Sequence, residues 1–520
     1  MIVLIFCLSI LAYSDGSPWD TLTANIAVVE YQPLQNNSFT AEDRVTQNSL
    51  QYIQLLKSLN VELDLIIFPE SALEASVSTA VEIRDMEDIP CGWVLYPDFM
   101  SNLSCAAAEA QTFMVVNLVE KVKCNESDQS PNCKTHGFKF YNCDLVLNRA
   151  GAIVERYRKY NLFGEHDKDK PEKADAVVVE TDFGVKLGIF TCFDILFKSP
   201  AQDLAEEGVD GVIFPTMWFS ELPFLTALQA QQMWSYAHDV TLFSAGANNP
   251  SRGSGGTAVH RGTQGTVYQT IVAQGGSQAY LYESIDGRVT PPAEEDVDSV
   301  SREMDNVQLL TDNSLPDFLS VPLNTSDENY EAEVCHGEDE NQFCCKLTLK
   351  TSFEEPDTNF ESYTYHLVIY SGIRSYSGVY NGGIEVCGVI ACLNSSLTSC
   401  GQRFPQYEKV QWPVTFEEIT ILARYQISDN KTYFPDTLLS TIRPIDATET
   451  EWGEEIPQND GKSATTTFSL KKPQNRLLTF AVYGRNFARD SPPDSDDDNS
   501  ASSVNIASFL LSFILLLSVV

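Results

Sequence analysis

Basic residues are scarce. The 520-residue chain carries 34 lysines and arginines against 72 aspartates and glutamates, a formal net charge of −38. A surface this acidic repels the phosphates of nucleic acid and gains nothing from anionic lipid. Nucleic acid is therefore excluded as a partner, and solubility in a secreted fluid is the simplest use of the charge. Histidine is rarer still. Its 6 copies, His238 and His260 among them, show no ligand spacing, so no metal site and no cofactor are expected. Paired C-x2-C motifs are missing, which argues against zinc as the reason for the cysteines. Long apolar runs are missing too: the stretch Met1 to Ala12 is too short to span a bilayer comfortably. What is present suits a folded protein, since 43% of the residues are hydrophobic and 11% aromatic.

The ends of the chain read as processing signals. Residues 1–14 fit a secretory signal peptide without the usual positive start. Six N-x-S/T sequons, at Asn36, Asn102, Asn125, Asn324, Asn394 and Asn430, suit the same route. Residues 491–520 combine small residues, an acidic spacer from Asp494 to Ser503 and the apolar tail Ile506 to Val520. That order is the signal for a glycosylphosphatidylinositol anchor. Asn499 is the expected attachment residue, with Ser495 the alternative. A tail-anchored helix is the competing reading, and the tail is short for it. The expected place is the extracellular face of the cell membrane, held through lipid.

The chain has 13 cysteines. Cys7 leaves with the signal peptide and Cys192 is set aside for chemistry. Cys124 and Cys133 flank a polar loop and are expected to bridge; Cys91 and Cys105 bracket another loop-like stretch. Cys335, Cys344, Cys345, Cys387, Cys392 and Cys400 form an even set, expected to pair as disulfides in a secreted chain. Cys143, inside a strand-like run, is the odd one out.

The first half alternates between strand and helix patterns. Strands are expected at Ile26–Tyr31, Leu63–Phe68, Phe113–Val119, Tyr141–Leu147, Ala152–Tyr157, Val177–Glu180, Val185–Thr191, Val212–Pro215 and Thr241–Ala245. Thr40-Ala41-Glu42-Asp43 resembles a capping box opening a helix to about Leu59. Ser199-Pro200 predicts another helix start, and a further helix follows from about Phe224. This is an α/β layered domain, assigned to residues 20–300. Beyond it, across residues 301–490, helical periodicity gives way to short β-branched and aromatic runs, which predicts a smaller, disulfide-linked β-rich domain.

Three segments of the first domain end an apolar run on a reactive residue: Leu65 to Ser71 with Glu70, Tyr157 to Glu165 with Lys159, and Gly188 to Asp194 with Cys192. A carboxylate, an ammonium and a thiol at strand ends make a nucleophilic site without histidine. Glu70 can take the proton of Cys192, which becomes a strong nucleophile on deprotonation. Lys159 and the backbone N–H of Phe193 can hold the developing oxyanion. An amide carbonyl would then be cut through a thioester. Each residue also has a plainer reading. Cys192 alone fits a buried structural thiol or half a disulfide, Glu70 a solvated strand-end carboxylate, and Lys159 a basic stretch with Arg156 and Arg158.

In these segments the chain resembles the nitrilase, or carbon–nitrogen hydrolase, superfamily, and more closely its vanin and biotinidase branch. Gly188 to Phe197, Tyr157 to Phe163 and Phe214 to Trp218 carry the likeness, as do the C-terminal cysteines. The resemblance implies an α-β-β-α sandwich, a catalytic Glu70–Lys159–Cys192 triad and a C-terminal domain of the vanin type. It implies hydrolysis of a small secondary amide: pantetheine to pantothenate and cysteamine, or a biotinidase-like amide as the alternative. Glu165 resembles a second glutamate that orients the lysine, although an exposed loop carboxylate is an equal reading. Trp218 fits a pocket residue and a core tryptophan equally. The loop Ser71 to Ser76 and the region Leu225 to Arg261 depart from the branch and are expected to line the pocket. A cysteine peptidase, and an inactive surface protein that only binds, are the rival functions.

Overall fold

The period-2 runs of the first half become two stacked β-sheets in a computed structural model, which describes residues 19, 21–34, 38–285, 288–289, 295–337, 342–457 and 462–492. The expected signal peptide, Asn36, and the anchor signal with Asn499 and Ser495 lie outside the described residues, Ser491 and Pro492 excepted. The first sheet has seven strands in the order Arg288–Val289, Gln278–Ile285, Ala24–Glu30, Leu65–Ile67, Phe113–Lys123, Phe138–Leu147 and Ile153–Arg158. The second has six, in the order Thr266–Thr270, Thr257–Arg261, Thr241–Gly246, Gly211–Thr216, Lys186–Ile189 and Val177–Glu180. In each, a parallel centre is extended by antiparallel strands at both edges.

Alternation along the strands decides what each face meets. Ile26, Val28, Leu65, Ile67 and Val115 point inward to Leu187, Ile189 and Ile213 of the second sheet. Their neighbours Ala27, Val29, Ile66, Met114 and Val116 point outward onto Tyr52, Leu56, Phe99 and Leu103. Those four belong to the helices Ala41–Ser58 and Asp98–Ala110. The first helix opens on the expected capping box: Thr40 accepts from the Asp43 N–H, and Asp43 accepts from the Thr40 N–H. On the far side the helix Ala227–His238 covers the second sheet through Ala230, Met233 and Trp234. The layers are helix, sheet, sheet, helix, a nitrilase-like sandwich.

The expected helix does open at Ser199-Pro200: Lys198–Gln202 leads straight into Asp203–Glu206, with Pro200 in the first turn. Ser199 is extended, and its hydroxyl donates to the Asp203 carboxylate at 2.5 Å rather than accepting a helix N–H. The stretch bracketed by Cys91 and Cys105 is not all loop, since Cys105 lies on the helix Asp98–Ala110.

The C-terminal half is a second sandwich of two five-stranded sheets, with every pairing antiparallel. Leu347, Ile419, Ile421 and Phe468 of one sheet meet Leu367, Val389, Phe480 and Val482 of the other. Disulfides join Cys335–Cys344, Cys345–Cys387 and Cys392–Cys400 here, and Cys91–Cys105 and Cys124–Cys133 in the first domain. Cys345–Cys387 ties one sheet to the other. Cys143 is the free, buried thiol the sequence leaves over. Among the described residues His366 stands beside Cys392 and Cys400, whose sulfurs are bonded to each other.

The two domains share a core. The helix Ala227–His238 lies between them, with Gln232 donating to the Ile445 carbonyl at 2.6 Å. Gly256, at φ +117°, lets the chain pass close to that helix, because a Cβ there would meet Ala227 at 2.5 Å. The asparagines of the described sequons, Asn102, Asn125, Asn324, Asn394 and Asn430, are all exposed.

Candidate active site

Strand ends of both sheets converge on one cavity of about 1020 Å³ that contains Glu70, Lys159 and Cys192. Glu70 follows the strand Leu65–Ile67, Lys159 follows Ile153–Arg158, and Cys192 follows Lys186–Ile189. The chain turns sharply at two of these ends. Cys192 has φ +49° and Ser71, next to Glu70, has φ +54°. Such left-handed backbone at non-glycine residues costs energy and persists only where the surroundings fix it.

Lys159 is no part of a basic surface stretch. Arg156 and Arg158 bind the Glu120 carboxylate at 2.9 and 2.6 Å, while Lys159 turns into the cavity. Its Nζ donates to Glu70 Oε1 at 2.7 Å and to Glu165 Oε1 at 3.1 Å. The other Glu70 oxygen accepts from the Met217 N–H at 2.9 Å. Cys192 lines the same cavity as Glu70 and Lys159 and feels both of their charges.

The charge states follow from these neighbours. Burial pushes the Glu70 carboxyl up, but the Lys159 ammonium and the hydrogen-bond donors outweigh it and leave it below its ordinary range. Burial disfavours the Lys159 ammonium, and Glu165 and Glu70 reverse that, holding it well above the ordinary lysine range. The Cys192 thiol is raised, first by burial and then by the Glu70 charge. The resting site is thus a thiol beside a carboxylate and an ammonium. Glu165 is raised by burial and by Glu70.

Phe193 lies in the short 3-10 turn Cys192–Leu196. Among the described residues its N–H has no hydrogen-bond acceptor, whereas the next N–H, of Asp194, bonds the Thr191 carbonyl at 3.1 Å. Glu165 and Trp218 both line the cavity. Trp218 serves as wall and core at once: it is 7% exposed, and its indole N–H donates to the Leu225 carbonyl at 2.8 Å. The loop Ser71 to Ser76 lines the cavity as expected. The region Leu225 to Arg261 does so only in part. Leu225, Asn248 and Arg252 reach it, while the helix Ala227–His238 is packed toward the C-terminal domain.

Several site residues escaped sequence reasoning. Asn142 donates through Nδ2 to Glu70 Oε1 at 2.8 Å and to Glu165 Oε1 at 2.7 Å. Asn117 in turn donates to Asn142 at 2.7 Å and to Asp144 at 2.8 Å, and accepts from the Ser71 N–H at 2.7 Å. Asp144, pushed up to about 7 by burial, accepts from Thr191 Oγ1 at 2.6 Å. Asp194 joins the lysine and cysteine segments by accepting from Tyr157 Oη at 2.7 Å and from the Asn161 N–H at 2.8 Å. The signal was there: Asn142 and Asp144 alternate with apolar residues, and a buried strand with polar residues on one face must aim them at partners.

Most of the chain is similar to known proteins. Residues 25–264 match the carbon-nitrogen hydrolase family, and residues 307–490 match the vanin C-terminal domain. Vanin-like protein 1 of Drosophila melanogaster is 34% identical over 83% of this chain and 81% of its own. Pantetheinase of Bos taurus is 28% identical over 85% of this chain and 84% of its own. Biotinidase of Bos taurus is 27% identical over 82% of this chain and 83% of its own. With both domains matched in order, and with the glutamate, lysine and cysteine gathered in one cavity, the chain belongs to the vanin and biotinidase branch of the carbon–nitrogen hydrolase superfamily.

Proposed function

We propose that this amidase cuts a pantetheine-like secondary amide, releasing pantothenate and cysteamine, at the extracellular face of the membrane. One observation carries the reading: Glu70, Lys159 and Cys192 meet in a cavity large enough for a small-molecule amide. Glu70 takes the proton from the Cys192 thiol as the sulfur attacks the carbonyl carbon. The carbonyl oxygen becomes an oxyanion held by Lys159 and the Phe193 N–H. The C–N bond breaks, and Glu70 returns the proton to the leaving amine. The acyl group stays on sulfur as a thioester. Glu70 then takes a proton from water, hydroxide adds to the thioester carbonyl, and the acid leaves as Cys192 recovers its proton. The raised thiol supports this order, because a thiol that keeps its proton at rest needs a base such as Glu70 to take it.

A biotinidase-like amide is the second reading, favoured by the similar identity of this chain to pantetheinase and to biotinidase. A protein that only binds is opposed by the intact triad, whose charges are expensive to bury without a use. Purified ectodomain is assayed with pantetheine, biocytin and simple N-alkyl amides side by side. Cysteamine release well above that of the Cys192→Ala protein is the expected result. No release from pantetheine, with turnover of another amide, would overturn the substrate and keep the reaction. Lipid anchorage through Asn499 is tested by phosphatidylinositol-specific phospholipase, which should release the protein from cells. A mature protein that retains Val520 by mass would overturn the anchor.

A further inference from the structure

We propose that Tyr376, carried by the C-terminal domain, is a positioning residue for the oxyanion donor Phe193, so that the C-terminal domain is a working part of the active site. The proposal rests on the triad reading above and extends it to a residue outside the hydrolase domain.

Phe193 has two demands on it. Its N–H must face the reacting carbonyl oxygen, and it follows Cys192, whose backbone is left-handed. Its side chain is therefore the handle by which the turn can be held. The hydrolase domain grips the ring on one side, with Phe163 at 5.0 Å and Phe197 at 4.9 Å between centroids. The rest of the grip comes from the C-terminal domain. The strands Thr364–Tyr376 and Tyr380–Cys392 form a hairpin whose tip reaches the hydrolase domain. Tyr376 packs edge-on against Phe193 at 5.3 Å, and Tyr380 lies 6.2 Å from Phe193 and 5.0 Å from Phe197.

Tyr376 is itself fixed from behind. The Arg374 guanidinium stacks on its ring at 4.4 Å. Arg374, 1% exposed, pairs with Glu221 at 2.6 Å and with Asp312 at 2.9 Å. Glu221 belongs to the hydrolase domain and lines the catalytic cavity, as do Tyr376 and the neighbouring Ser377. The Tyr376 hydroxyl lies 3.3 Å from that of Tyr483. An unbroken set of contacts, buried from Arg374 onward, thus runs from Glu221 through Arg374 and Tyr376 to Phe193. A ring that merely covered the hydrolase domain would not need a buried ion-paired arginine to set its plane. Oxyanion donors act through distance and direction, so small displacements have large effects on rate.

The test compares two reactions of Cys192 in the full-length protein. Acylation by p-nitrophenyl acetate passes through a tetrahedral oxyanion. Alkylation by iodoacetamide forms an S–C bond with loss of iodide and no oxyanion. Tyr376→Ala is expected to slow acylation by about tenfold or more, with alkylation within about threefold of wild type. Tyr376→Phe keeps the ring and should restore acylation to within about threefold. Melting temperatures show whether each variant folds, and Tyr376→Phe supplies the comparison if Tyr376→Ala does not. Equal slowing of both reactions, unchanged acylation in a folded Tyr376→Ala protein, or slowed acylation in folded Tyr376→Phe would overturn the proposal. Acylation that persists in Cys192→Ala would overturn the thiol assignment, and this proposal with it.

Discussion

The Lys159 ammonium lies 2.7 Å from the Glu70 carboxylate, and both side chains are 2% exposed. Two opposite charges are held out of water at the ends of strands that two other strands separate in the sheet, with Cys192 in the same cavity. Burial of this kind is costly unless the charges are matched. The match keeps the Glu70 carboxyl below its ordinary range and the Lys159 ammonium well above its own, the charge states that the proposed base and oxyanion donor need.

Lys159→Ala should therefore lower kcat/KM by about 3–4 kcal/mol or more, the usual effect of losing one oxyanion donor. It also leaves Glu70 without its counter-charge, so the folded fraction must be measured alongside. Lys159→Arg should not rescue, since a planar fork does not replace a compact ammonium bound to two carboxylates. A near-wild-type kcat/KM for either variant would contradict the role.

Asn142 is bound to Glu70 and Glu165 at once. Asn142→Leu should lower kcat roughly 10–100-fold, in line with the ordinary cost of losing a hydrogen bond to a charged group, with a much smaller change in KM. A loss confined to KM would place Asn142 in substrate binding instead.

How much of this the sequence shows depends on range. The meeting of Glu70, Lys159 and Cys192 in one cavity was legible because each stands at a strand end, and the capping box at Thr40 was legible because its partners are three residues apart. The free Cys143 followed from counting. Asn142, Asn117 and Tyr376 were not legible, because their meaning comes from partners far along the chain. Tyr376 meets Phe193 only when the second domain docks. The helix start at Ser199-Pro200 was legible for a local reason, the proline in its first turn, although the serine hydroxyl bonds a carboxylate and not an N–H.

Glu30 gives a pH dependence of stability. Burial pushes its carboxyl up to about 7, against which hydrogen bonds from Thr257 and Asn248 act only in part. The folded state therefore binds a proton that the unfolded state has lost above about pH 4.5. Its contribution to stability is full below that pH and is lost as pH rises toward 7. Denaturant melts between pH 4.5 and 7 should show that slope reduced in Glu30→Gln. An unchanged slope would mean that Glu30 ionises in the folded state as it does in water.

The disulfide Cys345–Cys387 joins the two sheets of the C-terminal sandwich across 42 residues of chain. Replacing both cysteines by alanine should cost about 2–5 kcal/mol of stability. Among the described residues of the denatured, unreduced protein, alkylation should mark Cys143 and Cys192 and spare the ten bonded cysteines. A peptide map with Cys345 or Cys387 alkylated would contradict the pairing.

The central claim is that the Cys192 thiol is the nucleophile of an amidase, and Cys192→Ala tests it most directly. The measurement is kcat/KM of the folded variant beside wild type, on the amide that the wild-type protein turns over fastest. The account predicts loss to the uncatalysed background, with a melting temperature close to that of wild type. Catalysed turnover retained by the folded Cys192→Ala protein would contradict it.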